Sequence, residues 1–120
     1  GDVYKGQAEI RELLHAGDWR EYDPDSEIVR EGDLDDRFYV IVAGSCLVES
    51  DGKDIASLKA GNCFGESGYV AEVRRNATIR SEGQVTILSV SATLLEQVST
   101  ECQLRFTKVF LRALIERLQG

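Results

Sequence analysis

Between Trp19 and Val90 the sequence is broken into short runs of β-branched and aromatic residues, and turn-forming residues end each run. The candidate strands are WREY, EIVRE, RFYVIVAG, SCLVES, DIASL, NATIRS and VTILSV. The turns between them are Asp23-Pro24-Asp25, Glu31-Gly32-Asp33, Asp51-Gly52 and Lys59-Ala60-Gly61-Asn62. Many short strands at this spacing predict a mainly β fold, a sandwich or a jelly-roll barrel, over residues of about 19–90.

Both ends of the chain have helical spacing instead. Ile10, Leu13 and Leu14 predict a short N-terminal helix over about 5–16, which stops at Gly17. After Val90 the apolar spacing predicts C-terminal helices over about 91–118. The last of these is apolar on more than one side, so it needs a second partner besides the barrel. A twin subunit, a missing domain and a ligand are the alternatives.

Length and charge limit what the chain can do. Its 120 residues suffice for a single domain over 1–120. Because it begins at Gly1 and contains no Met, we expect it to be excised from a longer protein. The 14 Lys and Arg against 21 Asp and Glu give a net charge of −7, which argues against a nucleic-acid-binding surface. Any anion must therefore be held in a local positive pocket.

The cysteines and the hydropathy pattern bear on location. Cys46, Cys63 and Cys102 lie far apart without a CxxC, which disfavours a zinc site or a redox dithiol and favours reduced thiols. No apolar run reaches the length of a transmembrane helix. We therefore expect a cytoplasmic location, no membrane insertion and no metal.

The segment FGESGYVAEVRRNAT, residues 64–78, carries the chemistry. A glycine-rich turn lets the backbone approach a ligand and direct its N–H groups at an anion. Arg75 adds a planar fork of donors that matches phosphate oxygens. Glu66 would repel a phosphate, but it makes sense if the ligand also offers a hydroxyl. A phosphate and a hydroxyl so close together suggest a ribose phosphate.

This segment resembles the phosphate-binding cassette of cyclic-nucleotide-binding domains, in which FGE is followed after eight residues by Arg, a small residue, Ala and Thr. Here Phe64, Gly65 and Glu66 match its start, and Arg75 matches its arginine. The upstream run EIVREGDLDDRFYVIVAGSCLV resembles the strand-turn-strand signature of the same family. The likeness covers most of residues 20–118, and it implies an antiparallel β-roll with flanking helices.

The resemblance also implies roles for single residues. Glu66 would accept a hydrogen bond from the ribose 2′-hydroxyl, and Arg75 would bind the cyclic phosphate. The amides of Gly65, Ser67 and Ala77 would complete the phosphate site. In the family the final helix closes over the base, which makes its residues candidate base contacts: Arg105, Phe106, Val109 and Phe110.

Two positions depart from the family pattern. Arg74 stands where Pro is common, and it either adds a positive charge near the phosphate or points to solvent. Asn76 stands where the family often shows Ala for cAMP, or Ser or Thr for domains that bind cGMP. An amide both donates and accepts, and we expect cAMP to be favoured over cGMP.

The resulting hypothesis is a non-catalytic sensor that binds a cyclic purine mononucleotide and reports occupancy through its C-terminal helices to an output domain or subunit. A ligand-free docking or dimerisation module, pairing through the final helix, is the alternative. A metal-dependent β-roll enzyme needs several His and a carboxylate, and His15 is the single histidine. We expect the acidic runs DPDSE and DLDD to be solvated turns, and Phe38 and Tyr39 to be packing residues.

Overall fold

The computed structural model describes residues 15, 17–65, 74–91, 93, 96–100, 102–104, 107–108 and 112. Its strands are β1 (Asp18–Tyr22), β2 (Glu27–Val29), β3 (Arg37–Ser50), β4 (Lys53–Lys59), β5 (Cys63–Phe64) and β6 (Thr78–Ser91). Helical backbone is described at residues 15, 93, 96, 100, 102–104, 107–108 and 112. Most of the predicted N-terminal helix, and much of the predicted C-terminal helices, lie outside the described residues.

All the described strands belong to one antiparallel sheet. Its order is β1-β6-β3-β4, with β2 also paired to β6 and β5 to β3. The ladder between β3 and β6 is the longest, and it runs from Arg37 opposite Ser91 to Glu49 opposite Thr78. The predicted antiparallel β-roll is therefore confirmed, with β3 and β6 as its two central strands.

The two central strands correct the sequence prediction, which divided each of them in two. The run RFYVIVAG does not end at Gly44 but continues into SCLVES as a single strand of 14 residues. Gly44 has φ +90°, and a Cβ there would lie 2.5 Å from the carbonyl oxygen of Gln84. The pairing register shifts on both sides of Ala43. Gly44 thus bends β3 at a bulge and does not terminate it.

The inner face of the sheet forms the hydrophobic core. Alternate residues of β3 and β6 point to this face, since successive side chains of a strand point to opposite faces. The core cluster contains Val29, Tyr39, Ile41, Cys46, Phe64, Ile79, Val85 and Ile87. Burial raises the pKa of the Cys46 thiol to about 11, so this thiol is protonated and unreactive at neutral pH.

The outer face is also covered near the end of β6. Phe38 and Val90 are paired across the ladder and are fully buried, and Leu88 is nearly so. Cys102, in the C-terminal helical segment, is buried as well. Among the described residues, no helix is long and apolar enough to cross a membrane.

We predict that replacing an isoleucine by alanine destabilises the protein more in the core than at the edge of the sheet. Ile41→Ala should lower the free energy of unfolding by about 2–5 kcal/mol, because Ile41 is fully buried in the core. Ile55→Ala on the edge strand β4 is the matched control. Its residue is 60% exposed, and we expect a cost below about 1 kcal/mol. Urea denaturation measures both; equal losses would contradict the placement of the core.

Candidate functional site

The site is built around Arg75, which lies just before β6 and is only 7% exposed. Its Nη1 donates to the carbonyl oxygen of Gly65 at 2.9 Å, and its Nη2 donates to that of Arg37 at 2.7 Å. Nη2 also lies 3.3 Å from Oδ2 of Asp35. Two main-chain carbonyls and one carboxylate thus hold a buried positive charge in a fixed orientation.

An aromatic pair supports the guanidinium. The rings of Tyr39 and Phe64, which are paired across β3 and β5, stack with centroids 4.8 Å apart and planes 12° from parallel. The Arg75 guanidinium carbon lies 5.8 Å from the centre of the Tyr39 ring. This cation–π contact stabilises the charge where water is excluded. The expected packing role of Tyr39 therefore extends to the site itself.

Asp35 joins the tyrosine to the arginine. Its Oδ2 accepts a hydrogen bond from the Tyr39 hydroxyl and forms the ion pair with Arg75. Its Oδ1 accepts a hydrogen bond from the main-chain N–H of Arg37 at 2.9 Å. The prediction that DLDD is a solvated turn is therefore wrong for Asp35, which is half-buried, although Asp36 is exposed. Burial raises the pKa of Tyr39, and the hydrogen bond to Asp35 raises it further.

Gly65 leaves the space in which Arg75 lies. It has φ +85°, and a Cβ there would lie 2.7 Å from the Arg37 carbonyl oxygen and 2.9 Å from Nη1 of Arg75. It would also approach Tyr39 Cδ2 to 3.1 Å. The residue at position 65 must therefore be glycine for two reasons, its left-handed backbone and the close approach of the guanidinium.

The main chain of Arg75 is fixed as well. Its N–H donates to the carbonyl oxygen of Asp33 at 2.8 Å, and its carbonyl accepts the N–H of Gly32 at 2.7 Å. Close by, the N–H of Glu31 donates to the Thr78 hydroxyl at 2.9 Å. The turn between β2 and β3 therefore binds the end of the cassette and sets the position from which the Arg75 side chain extends.

Arg75 borders a cavity of about 290 Å³ inside the roll. The described residues that line it are Val29, Val48, Ala56, Leu58, Phe64, Gly65, Arg75, Asn76, Ala77 and Ile79. The described part of its wall is mainly apolar and carries one charged side chain, that of Arg75. Within the described residues, the Nε–H of Arg75 is buried and has no acceptor. A buried donor without a partner costs about 1–3 kcal/mol, which favours an acceptor supplied by a ligand.

A second cavity, of about 420 Å³, meets Arg75 from the side of the turn. Its lining includes three carboxylates, those of Glu27, Asp33 and Asp35. Carboxylates repel a phosphate, whereas the walls of the smaller cavity carry no acidic side chain among the described residues. The smaller cavity is therefore the candidate anion site.

The structure brings together four of the residues predicted for the ligand site. Gly65, Arg75, Asn76 and Ala77 all line the smaller cavity. Arg74 is exposed and lines neither cavity, and its Nη1 donates to the carbonyl oxygen of Gly32 at 2.8 Å.

The remaining predicted site residues lie outside the described residues. They are Glu66 and Ser67 of the cassette and the candidate base contacts Arg105, Phe106, Val109 and Phe110.

Sequence reasoning missed the residues that hold Arg75 in place. The acidic run around Asp35 predicts only a turn, and Arg37 contributes its main-chain carbonyl, which carries no sequence signal. The sequence holds a partial signal for Asp35, because a carboxylate four residues before Tyr39 can accept a hydrogen bond from its hydroxyl and can also pair with a buried arginine.

A β-roll that encloses an apolar cavity with a buried arginine in its wall has the architecture of a small-ligand-binding domain. The chain matches the family model of the cyclic nucleotide-binding domain over residues 19–102. It therefore belongs to the cyclic nucleotide-binding domain family, and the resemblance expected from residues 64–78 is confirmed.

Relatives and solved structures agree. The chain is 32% identical over 98 residues to a cGMP-dependent protein kinase of Toxoplasma gondii, covering 82% of this chain and 10% of the relative. It is 34% identical over 80 residues to a cAMP-dependent protein kinase regulatory subunit of Debaryomyces hansenii, covering 66% of this chain and 16% of the relative. The chain thus spans a small part of these proteins.

The fold matches a crystal structure of a cyclic nucleotide-binding domain from Methylobacillus flagellatus with a TM-score of 0.87. The match covers 93% of this chain and 67% of that one at 22% identity, so it supports the shared fold.

We predict that Gly65→Ala disrupts the site more than the same change at another left-handed glycine. Gly61 has φ +92° and nothing within 4 Å of a built Cβ, so Gly61→Ala adds backbone strain alone, about 1–2 kcal/mol. Gly65→Ala adds the same strain together with contacts at 2.7 and 2.9 Å. Urea denaturation should show a larger loss of stability for Gly65→Ala. Equal losses would mean that Arg75 does not need the space at Gly65.

We predict that Tyr39 ionises at a higher pH than an ordinary tyrosine. Its pKa is raised from 10.0 by burial first and by Asp35 second. The stability that it contributes is fully present below pH 10.0 and is lost as the pH rises through the higher folded value. Alkaline titration followed by ultraviolet absorbance should show that one of the four tyrosines ionises at a higher pH than the others. This last ionisation should be absent in Tyr39→Phe. An unchanged titration in Tyr39→Phe would contradict the contact.

Proposed function

We propose that this chain is a non-catalytic sensor domain that binds a cyclic purine nucleotide in the smaller cavity, with the cyclic phosphate on Arg75. The proposal rests on the burial and the hydrogen bonding of the Arg75 side chain. Arg75 is 7% exposed and both Nη atoms donate to protein oxygens, while its Nε–H is buried without an acceptor in the described part of the chain. A phosphate oxygen in the cavity would supply that acceptor.

The remaining lining suits the rest of such a ligand. Val48, Leu58 and Ile79 offer apolar surface to a purine and a ribose, and Gly65 and Ala77 bring main-chain groups to the cavity wall. The family resemblance assigns to Glu66 the ribose 2′-hydroxyl and to Ser67 a further phosphate amide. We adopt both roles in the proposal, together with a cap over the base from the final helix.

We propose cAMP as the preferred ligand. Asn76 lines the cavity but has no hydroxyl, which is the group that cGMP-binding members of the family often place at this position. The named functions of the relatives include both a cGMP-dependent kinase and a cAMP-dependent kinase regulatory subunit, so the comparison between the two nucleotides must be made directly.

The path of β6 supports the proposal of a relay to an output. This strand begins at Thr78, three residues after Arg75, and ends at Ser91, just before the helical segment. The Ser99 hydroxyl accepts the N–H of Cys102 at 3.1 Å and so caps the next helical turn. We propose that the ligand favours the helix arrangement that closes the cavity, and that its differential affinity shifts the population toward that arrangement.

The output lies in an attached domain or a separate subunit. The chain spans a tenth to a sixth of the lengths of two relatives, a protein kinase and a protein kinase regulatory subunit. We therefore propose a protein kinase as the first output to test. We propose the cytoplasm as its location.

We predict that Arg75 dominates the affinity for cyclic nucleotide. Arg75→Ala should cost several kcal/mol of binding free energy, about 2–5, because the phosphate would lose its charged partner in a dry site. Isothermal titration with cAMP and, separately, with cGMP measures the loss. Arg75→Lys keeps the charge but not the planar fork, and we expect it to retain weak binding.

Arg20→Ala is the control for charge, since Arg20 is exposed on β1, away from the cavity. Thermal unfolding establishes that each variant is folded before it is titrated. Unchanged affinity in a folded Arg75→Ala would contradict the assignment of the cavity. If the unmutated chain binds neither nucleotide, the result would favour the ligand-free docking module instead.

A further inference from the structure

Arg74 occupies the cassette position at which the family commonly has Pro, and in this chain its side chain makes a specific contact. Its Nη1 donates to the carbonyl oxygen of Gly32 at 2.8 Å, across 42 residues of sequence. The main chain of Arg74 also forms an antiparallel bridge with Leu34. A proline could not form the side-chain contact, because it has no donor.

The contact reaches the same turn that holds the main chain of Arg75. The N–H of Asp33 donates to the carbonyl oxygen of Arg30 at 3.1 Å and closes the turn. Gly32 then donates its N–H to the carbonyl of Arg75 at 2.7 Å and accepts from Arg74 with its own carbonyl. One residue of the turn is therefore bound from both of its main-chain groups by two consecutive arginines.

Resting on the proposed function, the geometry points to Arg74 as a positioning residue for cyclic-nucleotide binding. It holds the 30–33 turn against the main chain of Arg75 and so fixes the point from which the Arg75 guanidinium extends into the cavity. Arg74 itself does not touch the ligand. A shift of this anchor would weaken phosphate binding, because the proposed hydrogen bond from the Arg75 Nε–H is directional and tolerates little displacement.

A direct electrostatic role fits the structure less well. Arg74 lines neither of the two cavities beside Arg75, and it is exposed, so water and salt screen its charge. A plain solvated arginine fits poorly too, because the side chain is committed to a main-chain acceptor in a distant turn.

The test compares Arg74→Ala and Arg74→Gln with the unmutated chain by titration with cAMP at low and high salt. We expect Arg74→Ala to weaken binding roughly two- to tenfold, the value of one net hydrogen bond, with little dependence on salt. Gln loses the charge but keeps an N–H donor, so Arg74→Gln should retain part of the affinity. Arg20→Ala, which also removes an exposed positive charge, should bind as the unmutated chain does.

Two further measurements separate positioning from general stability. Amide hydrogen exchange without ligand should show faster exchange of the Gly32 N–H in Arg74→Ala than in Arg20→Ala, since that N–H donates to Arg75. In an Arg75→Lys background, Arg74→Ala should cost less affinity than it does alone, because its effect passes through the Arg75 guanidinium.

The outcomes distinguish this inference from the function on which it rests. Normal binding by the unmutated chain, together with unchanged affinity in Arg74→Ala, overturns the positioning role alone. A loss that is equal in Arg74→Gln and disappears at high salt assigns Arg74 to simple charge attraction and also overturns it. Failure of the unmutated chain to bind cAMP or cGMP overturns the proposed function, and the inference with it, whatever the Gly32 exchange shows.

Discussion

A buried guanidinium is costly unless its charge and its donors are matched, and among the described residues the architecture around Arg75 matches its charge and both Nη groups but not its Nε–H. The carbonyl of Gly65 comes from the end of β5, the carbonyl of Arg37 from the start of β3, and the carboxylate of Asp35 from the turn before it. Two segments that are distant in sequence, residues 35–37 and Gly65, must therefore meet around a single side chain. Two local pairings make this meeting possible: Tyr39 with Phe64, which brings Gly65 beside the start of β3, and Leu34 with Arg74, which brings Arg75 beside the turn before β3.

The same contacts leave the site prepared for a ligand before one arrives. The Phe64 ring lines the cavity and stacks on Tyr39, and the Tyr39 ring cannot turn away without breaking its hydrogen bond to Asp35. Preorganisation of this kind lowers the cost of ordering side chains on binding. The close approach at Gly65 extends the constraint to the backbone, since the position of the arginine and the identity of that glycine depend on each other.

Local chemistry made much of this predictable from the sequence. Asp51 and Gly52 both have positive φ between the paired residues Ser50 and Lys53, as their residue types indicate for a two-residue hairpin turn. The spacing of Gly65 and Arg75 placed both on one cavity. What the sequence could not reveal is non-local: whether Gly44 ends a strand or bends it depends on the facing Gln84, and Asp35 becomes part of the site through a contact made 40 residues further along the chain.

Arg37 makes hydrogen bonds with several other residues at once. Its carbonyl accepts from Arg75, while its Nη1 donates to the Asp18 carboxylate at 2.9 Å and to the Ser89 hydroxyl at 3.0 Å. Asp18 is the first residue of β1, where the chain enters the roll. Arg37 therefore joins the Arg75 guanidinium to the entry strand through a single residue. The most deeply buried charge among the described residues is thus one side chain away from the strand by which the chain enters the roll.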